Sequence, residues 1–250
     1  MSLRIKGVTF GNGTPRICVP ITGKSKAEII RQSRMTAESH PDLVEWRSDF
    51  YEDVLEGDSA MQMLKILSDI FPEIPLIFTF RSAGEGGNKE ISNKAYKELC
   101  TAAAEQDHAD LIDLEVYREG LDACDLISRI HHLNGKVVAS NHNFHLTYET
   151  DEMVKILSGM DEMGADMLKL AMMPRNAEDV LRLLQATLQE SKKTTKPVVT
   201  MSMDKLGKIS RIGGGIFGSA ITFASAAGIS APGQIPIDEM RNMILQVYDT

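Results

Sequence analysis

Eight short apolar stretches alternate with amphipathic stretches along the chain, and this alternation limits the possible folds more than any other feature. The apolar stretches predict β-strands, and they lie at Arg16–Ile21, Leu43–Arg47, Pro75–Arg81, Asp110–Val116, Lys136–Asn141, Asp166–Met172, Pro197–Met203 and Ala220–Ala224. The stretches between them repeat apolar residues at spacings of three and four, which predicts helices. These helices are Ser25–Ala37, Ser59–Phe71, Asn88–Gln106, Leu121–Leu133, Thr150–Met163, Asn176–Glu190 and, at the end, Pro236–Val247.

Eight strands separated by helices in 250 residues are typical of a (β/α)8 barrel, the TIM barrel, which is an α/β fold that forms one domain at this size. A doubly wound sheet is the alternative, but it usually has fewer strands and favours a GxGxxG turn after the first one. Here that turn is Ile21-Thr-Gly-Lys24. We therefore predict a single barrel domain over residues 1–250, with an extra hairpin strand at Leu3–Phe10 before the turn signal Gly11–Pro15.

The composition and charge of the chain limit the classes of binding partner and the cellular location. A net charge of −8 and a pI near 5.3 argue against a nucleic-acid or anionic-membrane surface. The first residues lack the apolar core of a signal peptide, and the sequence has no apolar run near 18 residues, so we expect a cytoplasmic protein without a membrane span. Cys18, Cys100 and Cys124 show no close pairing. We expect all three to be buried thiols in a reducing compartment.

Polar side chains follow most of the predicted strands, at the ends where α/β barrels place their active sites. The candidates are Glu45, Arg47, Arg81, Glu85, Asp113, Glu115, His142, Phe144, Lys169, Met201, Met203, Arg211, Ser230 and Gln234. Taken singly, each has an ordinary structural explanation. Arg47 could pair with Glu45 or Asp49, and Gly213–Gly215 could form either a turn or a phosphate-binding loop. The convergence of these residues on one face of one barrel favours a functional site.

Lys169 is the most informative candidate because it lies in the middle of an apolar strand. Met167, Lys169 and Ala171 share one face of that strand, and leucines flank the lysine. Removal from water disfavours the charged form, so burial predicts a lowered pKa for Lys169. A neutral amine can attack a ketone or aldehyde to form a Schiff base. The alternative is a lysine held by Asp113 and Glu115 inside the barrel, with no chemistry.

This set of side chains predicts imine chemistry. An imine on Lys169 would make a neighbouring C–H acidic, and His142 could take that proton while Glu85 orients the imidazole. Arg211 or Arg81 could bind a carboxylate. The residues thus indicate a Schiff-base dehydratase or aldolase acting on a small hydroxylated keto acid or sugar. The spacing of His142 and His145, without a nearby cysteine or carboxylate, does not favour a metal site.

Several ordered strings carry a more specific resemblance. They are EWRSDF (45–50), FTFRSAGEGG (78–87), SNHNF (140–144), DMLKLAMMP (166–174), TMSM (200–203) and SAPGQ (230–234). Together they resemble type I 3-dehydroquinate dehydratase, from RICVPITG (16–23) to the last helix. The resemblance implies a (β/α)8 barrel, usually a homodimer, that dehydrates 3-dehydroquinate to 3-dehydroshikimate in the shikimate pathway of chorismate and aromatic amino acid biosynthesis. It implies neither a metal nor an organic cofactor.

The resemblance also implies a role for each matched residue. Lys169 would form the imine with the substrate ketone, His142 would take the C2 proton and serve the leaving hydroxyl, and Glu85 would lie beside His142. Arg211 would pair with the substrate carboxylate. The remaining matches are the ring-hydroxyl contacts Glu45, Arg47 and Arg81, the apolar walls Phe144, Met201 and Met203, and the contacts Ser230 and Gln234 from the loop after the eighth strand.

Two other functions stay open at this stage. The first is a Schiff-base aldolase on a phosphorylated sugar, which needs a phosphate site near Gly213–Gly215 and would make Arg211 a phosphate ligand. The second is a catalytically silent barrel that binds a carboxylate ligand, in which Lys169 remains protonated at neutral pH. Trapping an imine with borohydride would separate the enzyme from the silent barrel.

Overall fold

A computed structural model describes residues 3–11, 13–226 and 234–248 of the chain. The described β-strands are β1 Leu3–Ile5, β2 Val8–Phe10, β3 Arg16–Ile21, β4 Leu43–Arg47, β5 Leu76–Thr79, β6 Leu111–Glu115, β7 Val137–Asn143, β8 Met167–Met172, β9 Val198–Ser202, β10 Ile221–Ser225 and β11 Ile235–Pro236. The described α-helices are α1 Lys26–Glu38, α2 Ser59–Ile70, α3 Asn93–Glu105, α4 Ala123–His132, α5 Thr150–Glu162, α6 Ala177–Lys193, α7 Lys208–Gly213 and α8 Ile237–Tyr248.

The strands β3 to β10 form one curled parallel sheet in chain order, and β10 pairs back onto β3. The remaining gap, between β9 and β10, is bridged by the pairing of Val198 with Ser219 and by a 2.7 Å hydrogen bond from the Ala220 amide to the Val198 carbonyl. The short strand β11 adds alongside the end of β10. The predicted α/β barrel is therefore confirmed.

The amino-terminal hairpin is also present, but its strands differ from the prediction. Both of them, β1 and β2, lie within Leu3–Phe10, and the turn falls at Lys6-Gly7 rather than after Phe10. Gly7 adopts a φ of +80°, a conformation that glycine takes without strain. The buried side chains Ile5 and Phe10 belong to the same apolar cluster as the barrel interior. The hairpin therefore packs against the end of the barrel at which the strands begin.

Several predicted boundaries near the candidate site are wrong. Strand β5 ends at Thr79 rather than Arg81, and two further differences change the surroundings of site residues. Helix α3 begins at Asn93 instead of Asn88, because the Ser92 hydroxyl caps it by accepting the Ala95 amide at 3.2 Å. Strand β7 runs on to Asn143, so His142 lies in the strand and not in the loop after it. The extension is supported by continued pairing of His142 with Ala171 and Asn143 with Met172.

Side-chain alternation along β8 decides what enters the barrel. Met167 and Ala171 lie in the interior cluster, whereas Leu168 and Leu170 pack outward among the helices. Lys169 therefore points inward with Met167 and Ala171, as the period of two requires. An ammonium or amine group is thus fixed inside the barrel by strand geometry alone.

Cysteine exposure corrects one expectation. Cys18 and Cys100 are buried free thiols, but Cys124 is exposed. Helix α4 turns Ala123, Leu126, Ile127 and Ile130 toward the core, and Cys124 falls outside that face. Of the helices that the structure describes, none has the length and apolar character needed to cross a membrane.

Candidate active site

A pocket opens at the carboxyl ends of the barrel strands and collects most of the predicted site residues. We call it the barrel pocket, and it is lined by Glu45, Arg47, Arg81, Glu85, Gly86, His142, Phe144, Lys169, Ala171, Met201, Met203, Arg211, Phe223 and Gln234. Ser230, which the sequence also placed here, lies outside the described residues. The parallel sheet explains the convergence, because it brings the ends of distant strands to one edge.

Lys169 lies at the floor of the barrel pocket, with 5% of its surface exposed. Its Nζ donates to Glu45 Oε1 at 2.9 Å and to Asp113 Oδ2 at 2.9 Å. The same nitrogen lies 5.0 Å from the centre of the Phe223 ring, a distance at which the aromatic face attracts a cation. Two carboxylates and an aromatic ring thus surround the amine.

These contacts correct the predicted charge of Lys169. Burial by itself lowers the pKa of the lysine, but the carboxylates of Asp113 and Glu45 outweigh it and raise the pKa above its usual value. The resting side chain is therefore an ammonium group and not a neutral amine. The sequence of β8 shows the removal of water but not the two anions that replace it.

Arg81 organises the wall beside Lys169. Its guanidinium donates to Asp113 Oδ1 at 2.7 Å and to Glu115 Oε1 at 3.2 Å, and it also reaches Ser140 Oγ at 3.0 Å. Asp113 is fully buried, and although burial raises its pKa, Arg81 and Lys169 bring the pKa well below its usual range. Asp113 therefore stays ionised and links the two cations.

His142 and Glu85 form a hydrogen-bonded pair in another part of the pocket wall. The imidazole Nδ1 lies 2.8 Å from Glu85 Oε2, and the His142 amide donates to the same oxygen at 3.1 Å. The Asn141 side chain donates to Glu85 Oε1 at 3.1 Å. An ionised Glu85 can only accept, so Nδ1 then carries the proton and Nε2 keeps a free lone pair.

The charge states of this pair suit a proton acceptor. Burial, with the nearby cations Arg81 and Lys169, holds the pKa of His142 well below its usual value. Burial also raises the pKa of Glu85 to about 7, against the lowering effect of Arg81. Near neutral pH the imidazole is therefore uncharged, and Glu85 lies close to its own titration point.

Two glycines of the loop after β5, Gly86 and Gly87, have little freedom to vary. A side chain at Gly86 would lie 2.2 Å from the Phe144 ring, and one at Gly87 would lie 1.8 Å from the Arg81 carbonyl oxygen. Gly86 also has a φ of +78°, in the left-handed region. Close packing of backbone and ring in this loop is what brings Glu85 onto the imidazole.

Asp49 ties that loop to the neighbouring strand. Its fully buried carboxylate accepts the Arg47 guanidinium through two bonds of 2.8 and 2.9 Å. It also accepts the Arg81 amide at 3.3 Å and the Asn88 amide at 3.0 Å, on either side of Glu85. Of the two partners foreseen for Arg47, the structure selects Asp49.

Arg211 and the methionines form the rest of the barrel pocket. Arg211 is 2% exposed, and burial lowers its pKa to about 10 while leaving it charged at neutral pH. Met201 and Met203 are buried at the end of β9 and line the same pocket. A buried cation at the edge of an apolar wall suits a small ring that carries one carboxylate.

Sequence reasoning missed the site roles of two residues. Phe223 contacts Lys169, and Asn141 holds Glu85. Both depend on contacts between distant elements and leave no local pattern. Of the two carboxylates expected beside Lys169, Asp113 contacts it, whereas Glu115 binds Arg81 and Glu45 takes the second place.

Comparison with known proteins extends the likeness to the whole chain. A family model described as Type I 3-dehydroquinase matches residues 17–249. A 3-dehydroquinate dehydratase of Listeria monocytogenes is 45% identical over 240 residues, which is 96% of this chain and 95% of the relative. One from Clostridioides difficile is 41% identical over 243 residues, covering 97% and 95%.

Solved structures agree with the sequence relatives. The 3-dehydroquinate dehydratase of Geobacillus kaustophilus matches with a TM-score of 0.96 at 33% identity, covering 100% of this chain and 98% of that one. The type I enzyme of Clostridium difficile with covalently modified comenic acid matches with a TM-score of 0.94 at 40% identity, covering 99% and 98%. Both fold and sequence are thus shared over the full barrel.

Proposed function

This chain belongs to the type I 3-dehydroquinase family and is a hydro-lyase, a 3-dehydroquinate dehydratase, and we propose that it acts through a Schiff base on Lys169. The observation that carries the proposal is the meeting of the Lys169 ammonium group and an uncharged imidazole in one pocket, on adjacent strands. Lys169 pairs with Ser140 and Ala171 pairs with His142 across β7 and β8. The imidazole therefore lies two residues further along the sheet than Lys169, and we propose that it reaches a carbon next to the imine.

The proposed reaction uses the charges already in place. Once Lys169 has lost a proton, its nitrogen attacks the C3 ketone of 3-dehydroquinate and water leaves. The resulting iminium withdraws electrons, so the bare Nε2 of His142 can take the C2 proton. The same proton then goes to the C1 hydroxyl, which departs as water. Hydrolysis of the second iminium releases 3-dehydroshikimate and restores the ammonium.

Arg211 is proposed to bind the substrate carboxylate at the far side of the ring. We expect Arg211→Ala to weaken substrate binding by about 2–5 kcal/mol, the loss typical of a buried charged hydrogen-bonded pair. In steady-state kinetics this would be an increase in KM of about 30-fold or more, with a smaller change in kcat. An Arg211→Ala enzyme with unchanged KM would contradict the carboxylate assignment.

The pH dependence of kcat/KM should report the His142–Glu85 pair. As the pH falls through about 7, Glu85 gains a proton and donates a hydrogen bond to Nδ1. The imidazole proton then lies on Nε2, which loses its basic lone pair. Because of that raised pKa, we expect kcat/KM of the unmodified enzyme to fall as the pH drops through about 7, which gives an acid limb of the pH profile there. Glu85→Gln removes that titration, so the limb should move below the ordinary histidine value of 6.5, toward the lowered pKa of His142. An acid limb that stays at the same pH in Glu85→Gln would contradict this assignment.

The sugar-phosphate aldolase is less well supported. Its phosphate site would need Gly213–Gly215 to form an open loop. Gly213 instead ends helix α7, and Gly214 and Gly215 begin a 3₁₀ helix, Gly214–Phe217, in which a side chain at Gly215 would lie 2.6 Å from Pro15 Cδ and 2.7 Å from Tyr248 Oη. The dehydratase is tested directly by adding 3-dehydroquinate without phosphate and measuring the increase in absorbance as 3-dehydroshikimate forms. No product from this substrate would count against it.

The silent barrel makes one prediction in common with the enzyme, because both have a protonated Lys169 at rest. They differ after substrate has bound, since only the enzyme forms an adduct that borohydride can trap on Lys169.

Family resemblance further supports a cytoplasmic homodimer without cofactor, nucleic-acid partner or membrane contact, serving the shikimate pathway. A molar mass equal to that of one chain in sedimentation equilibrium would contradict the homodimer.

A further inference from the structure

A second cavity lies behind the His142–Glu85 pair and shares both residues with the barrel pocket. We call it the rear cavity. Its wall includes Gly84, and its lining reaches the exposed carboxylates Glu90 and Glu119. Because those residues are exposed, water can enter the rear cavity without passing through the barrel pocket. The His142–Glu85 pair is therefore the boundary between two spaces.

The two oxygens of Glu85 bind different neighbours at this boundary. Oε2 lies 2.8 Å from His142 Nδ1. Oε1 accepts the amide of Asn141, whose side chain lines the rear cavity. The pKa of Glu85, raised to about 7 by burial, lets this carboxyl gain and lose a proton at neutral pH. A carboxyl with this placement can pass protons between the imidazole and the water behind it.

The resting state of Lys169 creates a need for such a path. The ammonium must lose a proton before it can attack a ketone, and a bound substrate fills the barrel pocket at that moment. Resting on the Schiff-base chemistry proposed above, we infer that the rear cavity is a proton port. Water in it exchanges protons with Glu85, and through Glu85 with His142, while substrate occupies the barrel pocket.

The proton balance closes over imine formation. Lys169 gives one proton to Nε2 of His142, Nδ1 gives its own to Glu85 Oε2, and Glu85 releases one to water in the rear cavity. After the amine attacks, the carbinolamine hydroxyl leaves as water with the Nε2 proton. Glu85 takes a proton back from the rear cavity and returns it to Nδ1. One proton leaves and one returns, and Nε2 is again free to act on C2.

Gly84 offers a way to close the port without touching the catalytic groups. A side-chain carbon built there has Ser82 Oγ, at 3.8 Å, as its nearest neighbour, so a larger residue can extend into the rear cavity. We expect Gly84→Leu to slow the approach to the imine by about tenfold or more, since proton transfers through a positioned group are worth at least that much. The final fraction of imine should be unchanged. Rapid mixing with 3-dehydroquinate, quenching into borohydride and intact-mass analysis measure both quantities.

Two further variants keep the test decisive. Gly84→Ala adds only a methyl group and should form the imine at the unmodified rate. Glu90→Trp covers the rear cavity from its rim and should also slow imine formation. Thermal melts show whether Gly84→Leu is folded, and if it is not, Glu90→Trp carries the test. Unchanged rates in folded Gly84→Leu and Glu90→Trp would overturn the port. Absence of any adduct in the unmodified chain would instead count against the proposed Schiff base.

Discussion

Replacing Lys169 by methionine is expected to lower the rate of 3-dehydroquinate dehydration by about 10⁴-fold or more, because the proposed imine, which makes the C2 proton acidic, can no longer form. The variant keeps an apolar stem in the barrel but has no nucleophile. The rate of 3-dehydroshikimate formation at saturating substrate measures the loss. Turnover within tenfold of the unmodified enzyme would remove the imine from the reaction.

The structure adds a stability effect to this substitution. Without the ammonium, Glu45 and Asp113 remain as buried carboxylates facing an apolar group, which costs about 3–5 kcal/mol. The free energy of unfolding should fall accordingly in Lys169→Met. Lys169→Arg is the matched control, because it keeps a cation between the same carboxylates but cannot form an imine. An inactive Lys169→Arg enzyme with near-normal stability would separate catalysis from folding.

Replacing His142 by glutamine should leave imine formation possible and block the removal of the C2 proton. We expect kcat to fall by about 10²–10⁴-fold, the usual contribution of a general base. Borohydride added to His142→Gln with 3-dehydroquinate should trap more adduct than in the unmodified enzyme, since the imine accumulates. If the proton port operates, the imine should also form more slowly in this variant.

The combination of low turnover and high adduct is specific to this role. A residue that only bound substrate would lower both the adduct and the rate. Asn143→Ala, at the next position along β7 and with its side chain bonded to Tyr148, provides the comparison for effects on the strand itself. Normal turnover in His142→Gln would show that another group takes the C2 proton.

Much of the barrel could be predicted because its rules are local. The strand boundaries of β3 and β4 agree with those expected from the apolar runs, since the buried stretch and the strand coincide in both. The inward direction of Lys169 followed from side-chain alternation. The prediction starts helix α3 too early because Asn88 and Lys89 resemble a helix start. In the structure the Asn88 amide donates to Asp49, and the Lys89 ammonium donates to the Tyr51 carbonyl.

The charge of Lys169 could not be predicted from its own strand. It depends on Asp113, 56 positions away, and on Glu45, 124 positions away. Local sequence shows the apolar neighbours that remove water but not the carboxylates that the closed sheet brings from other strands. The same limit applies to part of the Asp49 site. Its bonds to Arg47 were foreseen from the sequence, but the backbone donors of Arg81 and Asn88 come from the next strand and loop.

The most direct test of the Schiff base is reductive trapping of the unmodified enzyme. The chain is incubated with 3-dehydroquinate, reduced with borohydride, digested and mapped by mass spectrometry. We expect one covalent adduct of substrate or product, on the peptide that contains Lys169, together with loss of activity. A protein that turns over 3-dehydroquinate yet yields no adduct, or carries it on a different lysine, would contradict the proposed role of Lys169.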